Sequence, residues 1–265
     1  MPYPRVFVVS GPSGVGKTSI LKAVRYRTPG MRMSVSFTTR KPRPTEIHGR
    51  DYFFVTHDQF QERIGQGDFL EWARVYDNCY GTSLRVIRDI LASLVHALLD
   101  VDTQGARSIR ERCSGAVFIF IEPPSLGVLE ARLRSRGTES EESLVKRLSQ
   151  ADHEMQQRRM YDHVIVNDSI SKATTRFLEI IAVEQERNVP FTIKSTPADE
   201  SRAVQAIAGS IDQTKLLETL QSEIQSTLGI EVSSWLRQRM ESVLRRDLES
   251  IVREEYRAYQ SRRAG

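Results

Sequence analysis

The sequence predicts an α/β fold: a parallel sheet core, a small mixed-β subdomain inserted into it, a helical lid, and an added α-helical C-terminal tail. Three observations predict it. Short β-branched and aromatic runs alternate with segments of helical spacing, the pattern of a parallel sheet covered on both faces. Between Ser34 and Gly81 the alternation gives way to short aromatic strands such as DYFFV and FLEWARV. After Pro190 only amphipathic helical stretches remain.

In chain order, RVFVVS is the first strand, GPSGVG breaks it, and KTSILKAVRYR follows as a helix. HALLDVD and TQGARSIRERC repeat the strand–helix pair. GAVFIFIEP is the most apolar strand, YDHVIVND another buried one, and SKATTRFLEIIAVEQER a closing helix. The interval from Ser125 to Arg159, rich in Arg, Glu, Ser and Gln, reads as two exposed helices joined near RGTES, suited to move as a lid. STPADES reads as a linker, with two helical stretches after it divided near Gly229. The first carries Leu216, Leu217, Leu220, Ile224 and Leu228; the second carries Leu236, Met240, Leu244, Leu248, Ile251 and Val252. Each set falls on one helical face. The division that follows is 1–189 and 190–265, with the inserted part at about 34–84 and the lid at about 125–159.

Composition excludes several classes. The 265 residues are 39% hydrophobic and 27% charged, ordinary for a chain that buries a core. A formal charge of +4 is slight for this length, so an anion site must come from local clustering, and nucleic acid is not an expected partner. Cys79 and Cys113 have neither metal-ligand spacing nor a disulfide framework, which fits a reducing cytoplasm. The opening MPYPRVFVVSG has too short an apolar run for a signal peptide, and no segment reaches the length of a membrane span. A cytosolic protein is expected.

Gly11 to Thr18, GPSGVGKT, matches G-x-x-x-x-G-K-[ST] between a strand and a helix. Glycines let the backbone curl so that successive N–H groups face phosphate oxygens, with a helix N-terminus behind them. Lys17 would reach the β- and γ-phosphates as a point charge, and the Thr18 hydroxyl would ligate Mg²⁺. A nucleoside triphosphate is therefore the expected ligand. GTPases, motor ATPases and small-molecule kinases all use such a loop, so the acceptor must be read elsewhere.

SVSFTTRKPRP, Ser34 to Pro44, brings four hydroxyls together with Arg40, Lys41 and Arg43. Pro42 stiffens the turn between the two arginines, whose guanidinium forks suit one phosphate. A solvated basic loop is the bland alternative.

GPSGVGKT, SVSFTTRKPR, GRDYFFV, FLEWARV, YGT, DVDTQGA, PPS, RLRSRGTES, KRLSQADHE and VIVND stand in the order and spacing found in guanylate kinases. The sequence resembles that family from about Arg5 to Arg187, leaving the tail uncovered. The resemblance implies a P-loop nucleoside monophosphate kinase fold and the reaction ATP + GMP = ADP + GDP, with dGMP as a further acceptor, in purine nucleotide metabolism. It implies that Gly11, Pro12, Ser13, Gly14, Val15, Gly16, Lys17 and Thr18 bind ATP, with Asn167 on the adenine. Ser36, Arg40, Arg43, Tyr52 and Tyr80 would grip the GMP phosphate. Glu71 and Thr82 would read the guanine, and Asp102 would face the GMP site. Asp100 would support the shell of the Mg²⁺ cofactor with Thr18. Lys17, Arg40 and the lid arginines Arg132, Arg136 and Arg147 would act on the transferring phosphoryl group. Arg134 matches no family arginine and reads as solvated.

The chemistry agrees with these implied roles. Guanine offers adjacent N1–H and N2–H donors to a carboxylate such as Glu71, and adenine has no such pair. Pattern alone leaves Glu71 as a surface charge at a strand edge. Asp102, at the start of TQGA, reads equally as a helix cap. A GMP phosphate is largely ionised near neutrality, so no general base is needed, and positioning with charge neutralisation carries the reaction.

Three positions depart from the family pattern. Thr45 stands where a glycine is common, Asp77 at a turn often held by glycine, and SLVHALLDVD lacks the glycine before its strand. The main rival is a catalytically inactive guanylate-kinase-like module that binds phosphopeptides, a class that degrades the phosphate loop. That loop is intact here. The tail from Phe191 carries 11 basic and 11 acidic residues, no catalytic constellation, and apolar faces that must pack on the core, on a second copy, or on another protein. It is expected to be dispensable for chemistry.

Overall fold

The computed structural model describes residues 3–75, 77–135, 141–194 and 197–228, together with 237, 240, 241, 248 and 250–257. The chain divides after Lys194 into two compact units. In the first, β1 (Val6–Ser10) leads through the glycine-rich loop into α1 (Lys17–Arg27) and β2 (Met31–Met33). The inserted part holds β3 (Phe37–Thr38), β4 (Phe53–Phe54), α2 (His57–Gln66), β5 (Phe69–Val75) and β6 (Asn78–Ser83). Then come α3 (Leu84–Ala92), β7 (His96–Asp100), α4 (Thr103–Arg112), β8 (Cys113–Ser114) and β9 (Ala116–Glu122). The lid helices are α5 (Leu126–Arg134) and α6 (Glu141–Gln156), and β10 (His163–Val166), α7 (Ile170–Glu186) and β11 (Thr192–Ile193) complete the unit.

The core sheet runs β10-β9-β1-β7-β2, parallel throughout. All five residues of β1 are buried because helices cover both faces of the sheet. Phe7 and Val9 face Ile20, Leu21 and Val24 of α1 and Phe177 and Ile181 of α7. Val6 and Val8 face the opposite layer, with Ile87 of α3 and Ile109 of α4. Burying each such side chain stabilises the fold by about 1.5–3 kcal/mol.

The inserted sheet runs β4-β3-β6-β5, with β3–β4 parallel and its other pairs antiparallel. Its core is aromatic: Phe60 stacks on Phe69 at 4.5 Å and Phe37 on Phe53 at 4.6 Å. In the lid, Leu129 and Leu133 of α5 pack on Leu144 and Ala151 of α6.

The structure departs from the sequence reading in two places. The expected linker STPADES is helical from Pro197, where α8 (Pro197–Ser210) begins; α9 (Gln213–Leu228) follows. The first unit also runs past 189: β11 pairs with β8, and Arg5 donates to the Val189 carbonyl at 2.7 Å and to Glu184 Oε2 at 3.2 Å. Leu94, standing where the family glycine was missed, has φ 58° and a side chain 71% exposed. Thr45, by contrast, is not among the residues with positive φ.

The second unit packs on itself. Val204 and Ala208 of α8 meet Leu248 and Val252, with Ile211 and Tyr256 at the margin. Leu217 is buried and Leu216 and Leu220 half-buried, as an amphipathic face requires. Ile251 is 54% exposed and so leaves the apolar face assigned to it. Leu236, Leu244 and the side chains of Ile224 and Leu228 lie outside the described residues.

Candidate active site

At the carboxyl end of β1 the chain turns through Gly11–Gly16 into α1. A side chain on Gly11 would stand 2.2 Å from the Ile121 carbonyl oxygen, and Gly16 holds the left-handed N-cap position at φ 95°. Neither position tolerates another residue without strain. Val15 is fully buried, and its carbonyl accepts from Asn167 Nδ2 at 2.6 Å and Arg132 at 3.3 Å. The loop is thus braced from behind. Lys17 Nζ sits 2.7 Å from Asp100 Oδ1 and 3.2 Å from the Val101 carbonyl, and Thr18 begins α1 beside them.

A cleft of about 520 Å³ opens in front of the loop. Gly11, Ser13, Lys17 and Thr18 of the loop line it together with Glu71, Tyr80 and Gly81 of the inserted sheet and with Ser36, Tyr52, Asp100 and Asp102. Arg43 lines an adjoining cavity of about 610 Å³ with Thr18, Ser36, Tyr52 and Asp100. Most of the expected residues are thereby brought together.

Their present partners refine the expectations. Arg40 gives both arms of its fork to Glu46, at 3.0 and 2.9 Å, and its guanidinium lies over the rings of Tyr52 and Phe54. Glu46 also accepts from Arg43 N at 2.8 Å, and the Arg40 hydrogen bonds hold its carboxyl below the usual range. The two arginines therefore do not stand as a free pair: a carboxylate occupies one fork.

Glu71 comes from β5 and Thr82 from β6, paired across the hairpin. Thr82 Oγ1 donates to Glu71 Oε1 at 2.5 Å, so the hydroxyl proton goes to the carboxylate. Burial pushes the Glu71 carboxyl up to about 7, with Asp102 adding to the rise against the Thr82 bond. Glu71 is half-buried on the edge strand β5, lines the cleft and is bonded by Thr82, so it is not a freely solvated surface charge. Asp102 accepts from Gly105 N at 2.7 Å, capping α4 while lining the cleft.

Asn167 is 1% exposed beneath the phosphate loop, and its Oδ1 is buried without a hydrogen-bond partner. Arg132 donates to the Asn167 carbonyl at 2.9 Å as well as to Val15. Arg147 reaches Ser13 Oγ at 3.1 Å, and Leu129 and Leu133 lie against Gly14. Arg136 lies outside the described residues. Arg134 is paired with Glu130 and Glu141 on the lid surface.

Sequence reasoning assigned no role to Glu46 or to Gln150 and Glu154 of α6, which line these cavities. The Glu154 carboxyl is raised by burial. Both lie in the fragment KRLSQADHE that shares in the resemblance, spaced four apart on a helix whose apolar stripe includes Leu144 and Ala151.

Oxygen donors dominate around Thr18 and Asp100, the donor set that Mg²⁺ takes when phosphates and water supply most of its ligands. Among the described residues no group of three or more His, Cys, Asp or Glu could hold a metal by itself, and no helix is long and apolar enough to cross a membrane.

A family model described as guanylate kinase matches residues 3–184. The guanylate kinase of Geobacter sulfurreducens is 46% identical over 182 residues, 69% of this chain and 90% of that protein. That of Escherichia coli strain K12 is 47% identical over 184 residues, 69% of this chain and 89% of its own length. The crystal structure of guanylate kinase from Anaplasma phagocytophilum superposes with a TM-score of 0.55 at 28% identity, covering 87% of this chain and 98% of that one.

Proposed function

The chain belongs to the guanylate kinase family, and on that premise we propose how its cleft carries out ATP:GMP phosphotransfer. The observation that carries this reading is one cleft lined both by an intact phosphate loop and by Glu71, which Thr82 bonds. The loop suits a triphosphate and the carboxylate a base with two adjacent donors. Nothing favours the binding-module alternative, since Lys17, Gly11 and Gly16 keep the arrangement a phosphate loop needs.

GMP binds with its guanine N1–H and N2–H on the Glu71 carboxylate, which Thr82 holds in orientation. Its phosphate meets Ser36, Tyr52, Tyr80, Arg43 and Arg40. Arg40 then shares its fork between Glu46 and the phosphate or releases the carboxylate. ATP lies along Gly11–Thr18, and Asn167 Oδ1 is the acceptor left for the adenine amino group.

One phosphate oxygen of GMP attacks the γ-phosphorus, forming the new P–O bond as the bond to the bridging oxygen of the departing ADP breaks. No proton need move. Lys17 leaves Asp100 to follow the charge onto the leaving group, and Arg132, Arg136 and Arg147 neutralise the transferring group as the lid closes and excludes water. Thr18 and Asp100 would hold Mg²⁺, which would supply charge neutralisation to the triphosphate. Two free, buried cysteines are compatible with a reducing cytoplasm as its compartment.

The test is ADP release from ATP against GMP, dGMP, AMP, CMP and UMP. Turnover with GMP and dGMP above the other acceptors is expected. Turnover with none of them would overturn the proposal.

A further inference from the structure

Helix α4 meets the Glu71 carboxylate at a glycine. A side-chain carbon on Gly105 would stand 2.9 Å from Glu71 Oε2, 3.2 Å from its Cδ and 3.3 Å from Val101 Cβ. The backbone does not ask for glycine there: Gly105 is helical, and its φ is not positive. A glycine in a helix is less stable than alanine, so the reason for it must lie in space. Gly65 in α2 has no atom within 4 Å of such a carbon, and Gly81 would meet the Phe69 ring at 2.8 Å. Only Gly105 of these three meets a polar group of the cleft.

The contact is steric. The Gly105 N–H already donates to Asp102 Oδ1, so it gives no hydrogen bond to Glu71. One carboxylate oxygen is therefore fixed by Thr82 and the other rests against a bare α-carbon. Without a donor from Gly105, the Thr82 bonding offsets the burial of the carboxyl only in part, in keeping with its raised pKa.

We propose that the missing side chain at Gly105 is a determinant of base specificity, a positioning element that sets how deep Glu71 sits and so keeps its carboxylate in the plane where guanine donates. The proposal rests on Glu71 being the guanine acceptor. A methyl at 105 would drive Glu71 toward the base and off Thr82, closing the space for guanine while leaving the phosphate loop untouched.

Steady-state kinetics with ATP and GMP, and with AMP as the second acceptor for base preference, test it on Gly105→Ala, Glu71→Gln, Glu71→Asp and the double variant Gly105→Ala/Glu71→Asp, with Gly65→Ala as control. Gly105→Ala should raise the KM for GMP about tenfold or more, leaving the KM for ATP and the saturating kcat within about threefold. Glu71→Asp withdraws the carboxylate from residue 105, so the double variant should bind GMP better than the product of the two single effects predicts. If Gly105→Ala fails to fold while the double variant folds, the contact with Glu71 is established. If neither folds, the clash is with Val101 and the proposal falls. It also falls if Gly105→Ala leaves the GMP KM unchanged, shifts all three constants together, or multiplies simply with Glu71→Asp. A Glu71→Gln variant with unaltered base preference would instead remove the guanine-acceptor reading beneath it.

Discussion

Lys17 bonds Asp100 and the Val101 carbonyl, which hold its ammonium beside the loop, and on the proposed reading it serves the donor phosphates rather than GMP. Lys17→Ala should therefore lower kcat about a hundredfold or more while calorimetry still records GMP binding. Glu71 is tuned differently. With its carboxyl pushed up to about 7, a neutral acid forms as pH falls through that value, and a neutral acid cannot accept from both guanine donors. GMP affinity should thus decline below pH 7. The phosphate of GMP itself titrates near pH 6, so Glu71→Gln isolates the part owed to the carboxyl. That variant should lose the upper limb of the pH profile and about 1–3 kcal/mol of its preference for GMP over AMP. Which residues gather at the cleft was largely legible at this scale, because phosphate and guanine chemistry limit the residue types that suit such a site. What was not legible is who holds whom. Nothing in the spacing of Arg40 and Glu46 announces a bidentate pair, and the Thr82 hydroxyl, expected on the base, turns to Glu71 through a strand register that only the folded hairpin sets.

Among the elements, the parallel core read correctly because strands buried on both faces leave continuous apolar runs such as Val6–Val9 and Val117–Ile121. The start of α8 was misread for a physical reason. Proline followed by Asp and Glu marks both loops and first helical turns, since a helix N-terminus needs neither a proline N–H nor a neutral surface. Leu94 is a departure visible in the sequence whose cost only the backbone displays. A leucine at φ 58° crowds its own carbonyl, and its exposed side chain gains no burial in return. Leu94→Gly should stabilise the first unit by about 1 kcal/mol after glycine's own entropy is counted. Urea unfolding followed by the inserted-sheet tryptophan, Trp72, would register a higher midpoint at unchanged slope. An unchanged midpoint would mean that the αL strain is relieved elsewhere.

For the whole molecule, the first unit needs the segment up to Lys194. A chain ended after Lys194 should keep GMP kinase activity within a few-fold, because the second unit packs its own apolar residues together and the cleft is lined from the first. One ended after Asn188 would lose β11 from β8 and leave Arg5 without the Val189 carbonyl, and its midpoint of unfolding should fall. Equal stability of the two truncations would deny β11 a part in the fold. The central position of β1 carries a further consequence, one of timing. This strand and its phosphate loop are translated before their sheet neighbours β7 and β9, and before Ile121, which walls Gly11. The brace on Val15 comes from Asn167, 152 residues later. Non-local pairings of this kind form late. The loop is thus translated before the residues that wall and brace it, so its built form waits on Asn167 and cannot be reached by the strand–loop–helix segment alone.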